Sequence, residues 1–330
     1  MNRKVSVAPM MDCTDKHERY FLRLISKNIL LYTEMIVSEA IDRGDKNKLL
    51  SFNLEEKPVA LQLGGSSPKL LSNASRIGEE FGYDEINLNL GCPSKKVQKN
   101  KFGACLIKEP DLVADCLTEM QAKTKLPVTV KTRIGYDHVE DYENLFNFIN
   151  ILKSTGIKTF IIHARKAMLG KFTPKQNLNI PPLKYDFVYK LKKDFKDLEI
   201  IINGGITSAE QAKKHLTEVD GVMIGRSVYH SPYILADIER LIFKNLDVLT
   251  RQEIIEKFIP YVKREMSKGV RMNQIMRHTL GLFHGQTGSS FWKRYLSENM
   301  CVRDADVKKI DHIMDKVKLA PQAHSVGQID

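Results

Sequence analysis

The chain has 330 residues, 42% hydrophobic and 28% charged, and no stretch approaches the ~18 apolar residues of a membrane span, so a soluble protein of one large domain or two unequal ones is expected. The 51 Lys and Arg against 40 Asp and Glu leave a formal charge of +11, which favours polyanionic partners. Five scattered cysteines (Cys13, Cys92, Cys105, Cys116 and Cys301) form no C-x-x-C pair, which argues against a disulfide framework and against zinc or iron-sulfur centres, and for a reducing, cytoplasmic setting.

Up to about residue 245, short β-rich runs alternate with helical patterns. The eight runs are "VSVAPM" from Val5, "LLYTEMIV" from Leu30, "PVALQL" from Pro58, "EINLNLG" from Glu85, "PVTVKTR" from Pro127, "TFIIHA" from Thr159, "EIIING" from Glu199 and "GVMIGR" from Gly221. Ser67-Pro68 and Thr207 look like caps that open two of the intervening helices. Eight βα units predict a (β/α)8 barrel over 1–245, and no G-x-G-x-x-G follows the first strand to support the rival open sheet.

Beyond residue 245 the pattern turns helical, with starts near Thr250, Met272, Ser289 and Asp304, which predicts a small helical bundle over 246–320 and a disordered tail over 321–330. Ile254, Phe258, Val262 and Met266 form one apolar stripe. Between Lys263 and Arg294 seven basic residues, among them Arg271, Arg277, Lys293 and Arg294, face the single acid Glu265, with Phe291, Trp292 and Tyr295 interleaved. That mixture suits contact with nucleic-acid phosphates and bases, although such aromatics can equally be core.

A barrel's active site forms at the C-terminal ends of its strands. The polar and special residues there are Met10 and Met11, Gln62, Asn87, Asn89 and Cys92, Lys131 and Arg133, His163, Asn203-Gly204-Gly205, and Gly225-Arg226. Glycines after strands seven and eight suit a phosphate, and Lys131, on a barrel strand, needs an anion or an electron-rich ring. Flavin mononucleotide meets both demands. In "NLGCPS", Gly91 and Pro93 display Cys92 at the barrel mouth, where it could act as an acid or, in the basic setting of "SKKVQKNK", as a thiolate.

Together "APMMDCTD", "LLYTEM", "PVALQLGGSSP", "YDEINLNLGCPS", "FGACLI", "VTVKTRIG", "FIIHARKA", "IPPLKYD", "INGGI", "DGVMIGR" and "MRHTLGLFHG" closely resemble the tRNA-dihydrouridine synthases of the bacterial A-type, from about Ser6 to about Asn299. The resemblance implies an oxidoreductase of the cytoplasm that uses FMN, with NADPH or NADH as reductant, to convert D-loop uridines of tRNA, at position 20 or 20a, to 5,6-dihydrouridine. It puts flavin contacts on Pro9, Met10, Met11, Gln62, Lys131, His163, Asn203, Gly204, Gly205, Gly225 and Arg226. It makes Cys92 the proton donor to carbon 5 of the uracil, opposite hydride delivery to carbon 6. It also implies uracil recognition by Asn89, tRNA contacts at Lys175 and Arg294, no metal, and no obligatory protein partner. Cys13 and Met168 stand where A-type members often carry tryptophan. A flavin barrel acting on a free pyrimidine would have no use for the basic helical segment, and a binding-only barrel would need neither Cys92 nor Lys131.

Overall fold

In the computed structural model, which describes residues 1–301 apart from Lys171, each of the eight β-rich runs forms a strand. These are β1 (Val5–Val7), β2 (Leu31–Val37), β3 (Val59–Gly64), β4 (Glu85–Leu90), β5 (Val128–Arg133), β6 (Thr159–His163), β7 (Glu199–Asn203) and β8 (Gly221–Ile224). All are parallel, in the order β1-β8-β7-β6-β5-β4-β3-β2. Val7 N donates to Leu30 O at 3.0 Å and Leu30 N to Val5 O at 3.1 Å, which joins β1 to the approach of β2 and closes the barrel.

Strand residues alternate between two environments. Outward positions such as Leu61, Ile86, Leu88 and Ile162 are buried apolar residues under the surrounding helices. Inward positions form layers. Ala8, Leu30, Tyr32, Ala60, Ile161, Ile201 and Met223 pack together in the middle. At the barrel's N-terminal end, Arg3 pairs with Glu85 at 2.6 Å and Glu199 at 3.0 Å, and Thr159 Oγ1 donates to Glu199 at 2.7 Å. Polar residues gather in the top layer.

Local signals act largely as the sequence suggests. Ser67 caps the helix Pro68–Glu80 by accepting from Leu70 N. At the later site Ser208, not Thr207, is the cap of Ala209–His215; Thr207 instead donates to the Gln211 side chain through its N–H and hydroxyl.

The chain divides into two compact units, one of residues 1–19 with 28–225, the other of 20–27 with the residues from 226 onward. The boundary expected near residue 245 falls inside the second unit, because the helices Arg226–His230 and Ile234–Leu241 pack with the later helical segments. Tyr229 meets His278 edge-on at 6.0 Å between ring centroids, and Tyr233 Oη donates to Leu249 O at 3.0 Å. Thr250 opens the helix Arg251–Ser267 with a reciprocal capping box to Glu253, and Ile254, Phe258 and Val262 of the expected stripe are fully buried. Helices Met272–Met276 and Ser289–Asn299 come next in the chain. The helix expected near Asp304 and the tail over 321–330 lie outside the described residues.

Candidate active site

The inward side chains at the C-terminal ends of β3 to β7 converge. Registers place Gln62 beside Asn87, Asn89 beside Lys131, Arg133 beside His163, and His163 beside Asn203 on neighbouring strands. Lys131 Nζ donates to Asn203 Oδ1 at 3.1 Å, and Asn203 Nδ2 donates to Met223 O at 2.8 Å. Asn203 is thereby turned with its oxygen toward the lysine. Burial, and next the positive charge of Arg133, push the Lys131 ammonium down to about 7. Three donors with one side-chain acceptor leave this ammonium able to take an anionic or electron-rich ligand.

Cys92 sits on the loop after β4. The loop is tied down by Asn89 Oδ1, which accepts from Gly91 N at 3.1 Å and Cys92 N at 3.0 Å, and by Ala104 N, which donates to Cys92 O at 3.0 Å. Burial pushes the Cys92 thiol up, and the Ser94 N–H, Arg133 and Lys131 only partly offset it. At pH 7 this direction favours the protonated thiol over the thiolate. The lysines of "SKKVQKNK" do not reverse this: Lys95, Lys96, Lys99 and Lys101 are exposed, where water screens them.

Asn89 is largely committed within the protein. Its oxygen takes two loop N–H groups and its Nδ2 donates to Gln62 Oε1 at 2.8 Å, so at most one N–H is left for a uracil edge. Its main work in this structure is to hold the loop, which residue spacing alone does not reveal.

The three glycines differ in kind. Gly204 (φ +115°) and Gly205 (φ +73°) lie where L-residues are strained, and a Cβ on Gly205 would come within 2.5 Å of Leu183 Cδ1, so the fold itself demands them. Gly225 is different, since a Cβ there would meet only Ala8 Cβ and Met10 Sδ at 3.6 Å, an ordinary contact. Among the described residues nothing requires a glycine at 225, whereas a ligand approaching the backbone would.

Met10 packs on the barrel's middle layer and Pro9 is half-buried, but Met11 is 55% exposed. His163 is buried, and its Nδ1 accepts from Arg165 N at 3.2 Å, which in the neutral ring puts the proton on Nε2. Lys175, in the helix Pro174–Asn177, is exposed. Sequence reasoning did not single out Arg133 as a tether, yet it donates to three carbonyls: Gly91 O at 2.8 Å, Lys166 O at 3.1 Å and Asn177 O at 3.3 Å. The available signal was its spacing, two residues after Lys131 and so on the same strand face.

Within the second unit, Arg226, Arg271, Lys293 and Arg294 are exposed. Arg277 is half-buried, with Nε toward His278 Nε2 at 3.3 Å. Trp292 is core: it is fully buried, donates to Thr279 O at 2.9 Å and meets Phe283 edge-on. Glu265, the lone acid of the segment, is buried and pairs with Lys268 at 2.8 Å.

The dihydrouridine synthase family model matches residues 6–318. A tRNA-dihydrouridine(20/20a) synthase of Synechocystis sp. is 53% identical over 302 residues, spanning 91% of this chain and 90% of its own. That of Escherichia coli (strain K12) is 51% identical over 316 residues, spanning 95% and 91%. Among solved structures, a 2-naphthoyl-CoA reductase in complex with 2-naphthoyl-CoA superimposes with a TM-score of 0.54 at 11% identity, over 73% of this chain and 50% of that one, a likeness of fold alone. Matched along nearly its whole length, the chain belongs to the dihydrouridine synthase family.

Proposed function

We propose that this protein reduces uridines 20 and 20a in the D-loop of tRNA to 5,6-dihydrouridine, with FMN in the barrel mouth, NADPH as reductant and Cys92 as proton donor. Flavin-dependent reduction of tRNA uridine follows from the family, and the curated relatives carry the two positions in their names. The observation that supports the assignment of roles is the pairing of a protonated thiol with a half-buried, under-partnered ammonium in one barrel mouth.

The residues present fit FMN. Lys131 calls for negative or electron-rich character, Gly225 leaves open the space a Cβ would fill, and Gln62, which gives one amide N–H to Asn87, keeps the other for a ligand. Pro9, Met10, Gln62, Lys131, His163, Asn203, Gly204, Gly205 and Gly225 would hold the group; Met11 and Arg226 are candidates on exposure alone. When bound there, a reduced flavin supplies the hydride for carbon 6 of the uracil. Cys92 gives its proton to carbon 5, completing the conversion of the carbon–carbon double bond to a single bond. Burial makes the resulting thiolate costly, so Cys92 recovers a proton readily. Lys131 offers positive charge where negative charge must be held. Lys175 in the first unit and Arg271, Arg277, Lys293 and Arg294 in the second are the proposed tRNA contacts, and the helical part from 246 onward is proposed as the tRNA-binding domain.

The test separates the half-reactions. Cys92→Ala should keep its flavin and oxidise NADPH, while single-turnover formation of dihydrouridine on unmodified tRNA falls by ~100- to 10,000-fold. Near-normal product from the variant would remove Cys92 from the reaction, and wild-type enzyme that leaves positions 20 and 20a unreduced would remove the substrate assignment.

A further inference from the structure

A continuous line of side-chain hydrogen bonds runs up the barrel interior, and every link has the same direction. It begins at Glu85, the first residue of β4, which is 0% exposed and whose carboxylate accepts from Arg3 Nε, Tyr32 Oη and Thr129 Oγ1, each at 2.6 Å. A carboxylate paired with a guanidinium can only accept, so Thr129 directs its one hydroxyl proton there and offers only lone pairs upward. Asn87 accordingly turns Nδ2 to Thr129 Oγ1 at 2.8 Å. Its oxygen then faces the next layer, accepting from Gln62 Nε2 at 2.8 Å, and Gln62 Oε1 accepts from Asn89 Nδ2 at 2.8 Å. Asn89 Oδ1 is left facing the loop, on the N–H groups of Gly91 and Cys92.

The two ends make the same demand. An acceptor-only carboxylate at the bottom and two donor-only amides at the top fix one polarity for the amides between them. Turning any one amide end for end would oppose two donors or two acceptors where water is scarce, because Asn87, Thr129 and Gln62 are at most 1% exposed.

We propose that Glu85 is a positioning residue for the catalytic loop: acting through Thr129, Asn87, Gln62 and Asn89, it fixes which end of Asn89 faces Cys92 and so holds the loop that carries the thiol. The proposal rests on the reading of Cys92 as proton donor only for its functional consequence; the mechanical link stands on the hydrogen bonds. Glu85 lies at the opposite end of its strand from the loop, ~17 Å away by strand rise.

The experiment is amide hydrogen exchange on the flavin-loaded holoenzyme, resolved to the peptide holding Gly91 and Cys92. Thr129→Val removes the hydroxyl with little change of shape, and Glu85→Gln replaces the acceptor-only group by one that can face either way. Each should speed exchange at Gly91 and Cys92 by about tenfold, the loss expected when a buried polar group goes unpartnered. Thr129→Ser, which restores the hydroxyl, should exchange as wild type. In single turnover at saturating tRNA the rate of dihydrouridine formation should fall by about the same factor in the two disruptive variants. If Thr129→Val fails to fold, Glu85→Gln is scored alone. Unchanged loop exchange in a folded variant would overturn the proposal, showing that the loop orients Asn89 by itself. So would a Thr129→Ser protein as loose as Thr129→Val, which would mark a packing effect. Exchange needs neither tRNA nor turnover, so an error in the uridine assignment would leave this result readable.

Discussion

Protonation of Lys131 should follow flavin binding, and the size of the effect can be worked out. In the protein alone, burial and then Arg133 lower this ammonium from 10.5 to about 7. An anionic ligand favours the charged form, so the complex binds a proton that the free protein has begun to lose. Affinity is therefore full below pH 7 and declines as pH rises through the free-protein value. If the bound ammonium returns to its ordinary 10.5, the dissociation constant for FMN should rise by ~50-fold between pH 7 and pH 9, about 2.3 kcal/mol, approaching tenfold per unit in the upper part of that interval. The flavin phosphate contributes little slope there, since its second ionisation lies near ~6. Apo-protein titrated with FMN, followed by quenching of flavin fluorescence at a series of pH values, gives the constant directly. Lys131→Met should bind more weakly at pH 7 and show no such slope. A wild-type affinity flat from pH 7 to pH 9 would refute the reasoning and place Lys131 away from the flavin.

Gly225→Ala should melt like the wild type, because its Cβ meets only ordinary contacts, yet bind FMN at least about tenfold more weakly; an unaltered affinity would mean the phosphate lies elsewhere. Replacing Arg271, Lys293 and Arg294 by Gln should leave flavin content unchanged and flatten the plot of log affinity for tRNA against log salt by ~0.7 to 0.9 per lost phosphate contact. A filter-binding series that keeps its slope would shift the tRNA site toward Lys95, Lys96, Lys99 and Lys101. Glu56→Gln should cost ~3–5 kcal/mol in urea unfolding, since Arg19, paired with Glu56 at 2.7 Å, would be left charged and buried; a loss under ~1 kcal/mol would mean that Thr14 O, Arg19's other acceptor, suffices.

The barrel was legible because its signals are local. A parallel strand buried on both faces is written as a run of Val, Ile and Leu, and the turn and cap residues between runs sit within a few positions of the elements they punctuate. Lys131 and Asn203 were legible as polar intrusions into such runs. Their mutual hydrogen bond was not, since strand order is a property of the closed sheet. Cys92 was visible as a displayed thiol, but its ionisation depends on how far burial outweighs neighbouring positive charge, a balance set by three-dimensional distances. Trp292 shows the converse. Beside Lys293 and Arg294 it could be read equally as a surface for bases or as core, and only the fold decides: one face of the helix turns inward and its indole is fully buried.

Residues 20–27, from the first loop-and-helix segment of the chain, group with the second unit. There Tyr20 stacks on Tyr261 at 3.9 Å, Phe21 meets Phe258 at 5.3 Å, and Ser26 donates to Glu239. On the ribosome these eight residues emerge long before their partners at 239, 258 and 261, so this part of the second unit's core cannot form until those later helices have been made. A gene fragment beginning at residue 226 would expose Phe258 and Tyr261 where Tyr20 and Phe21 now cover them, and should aggregate unless residues 20–27 are supplied as a fused or added peptide.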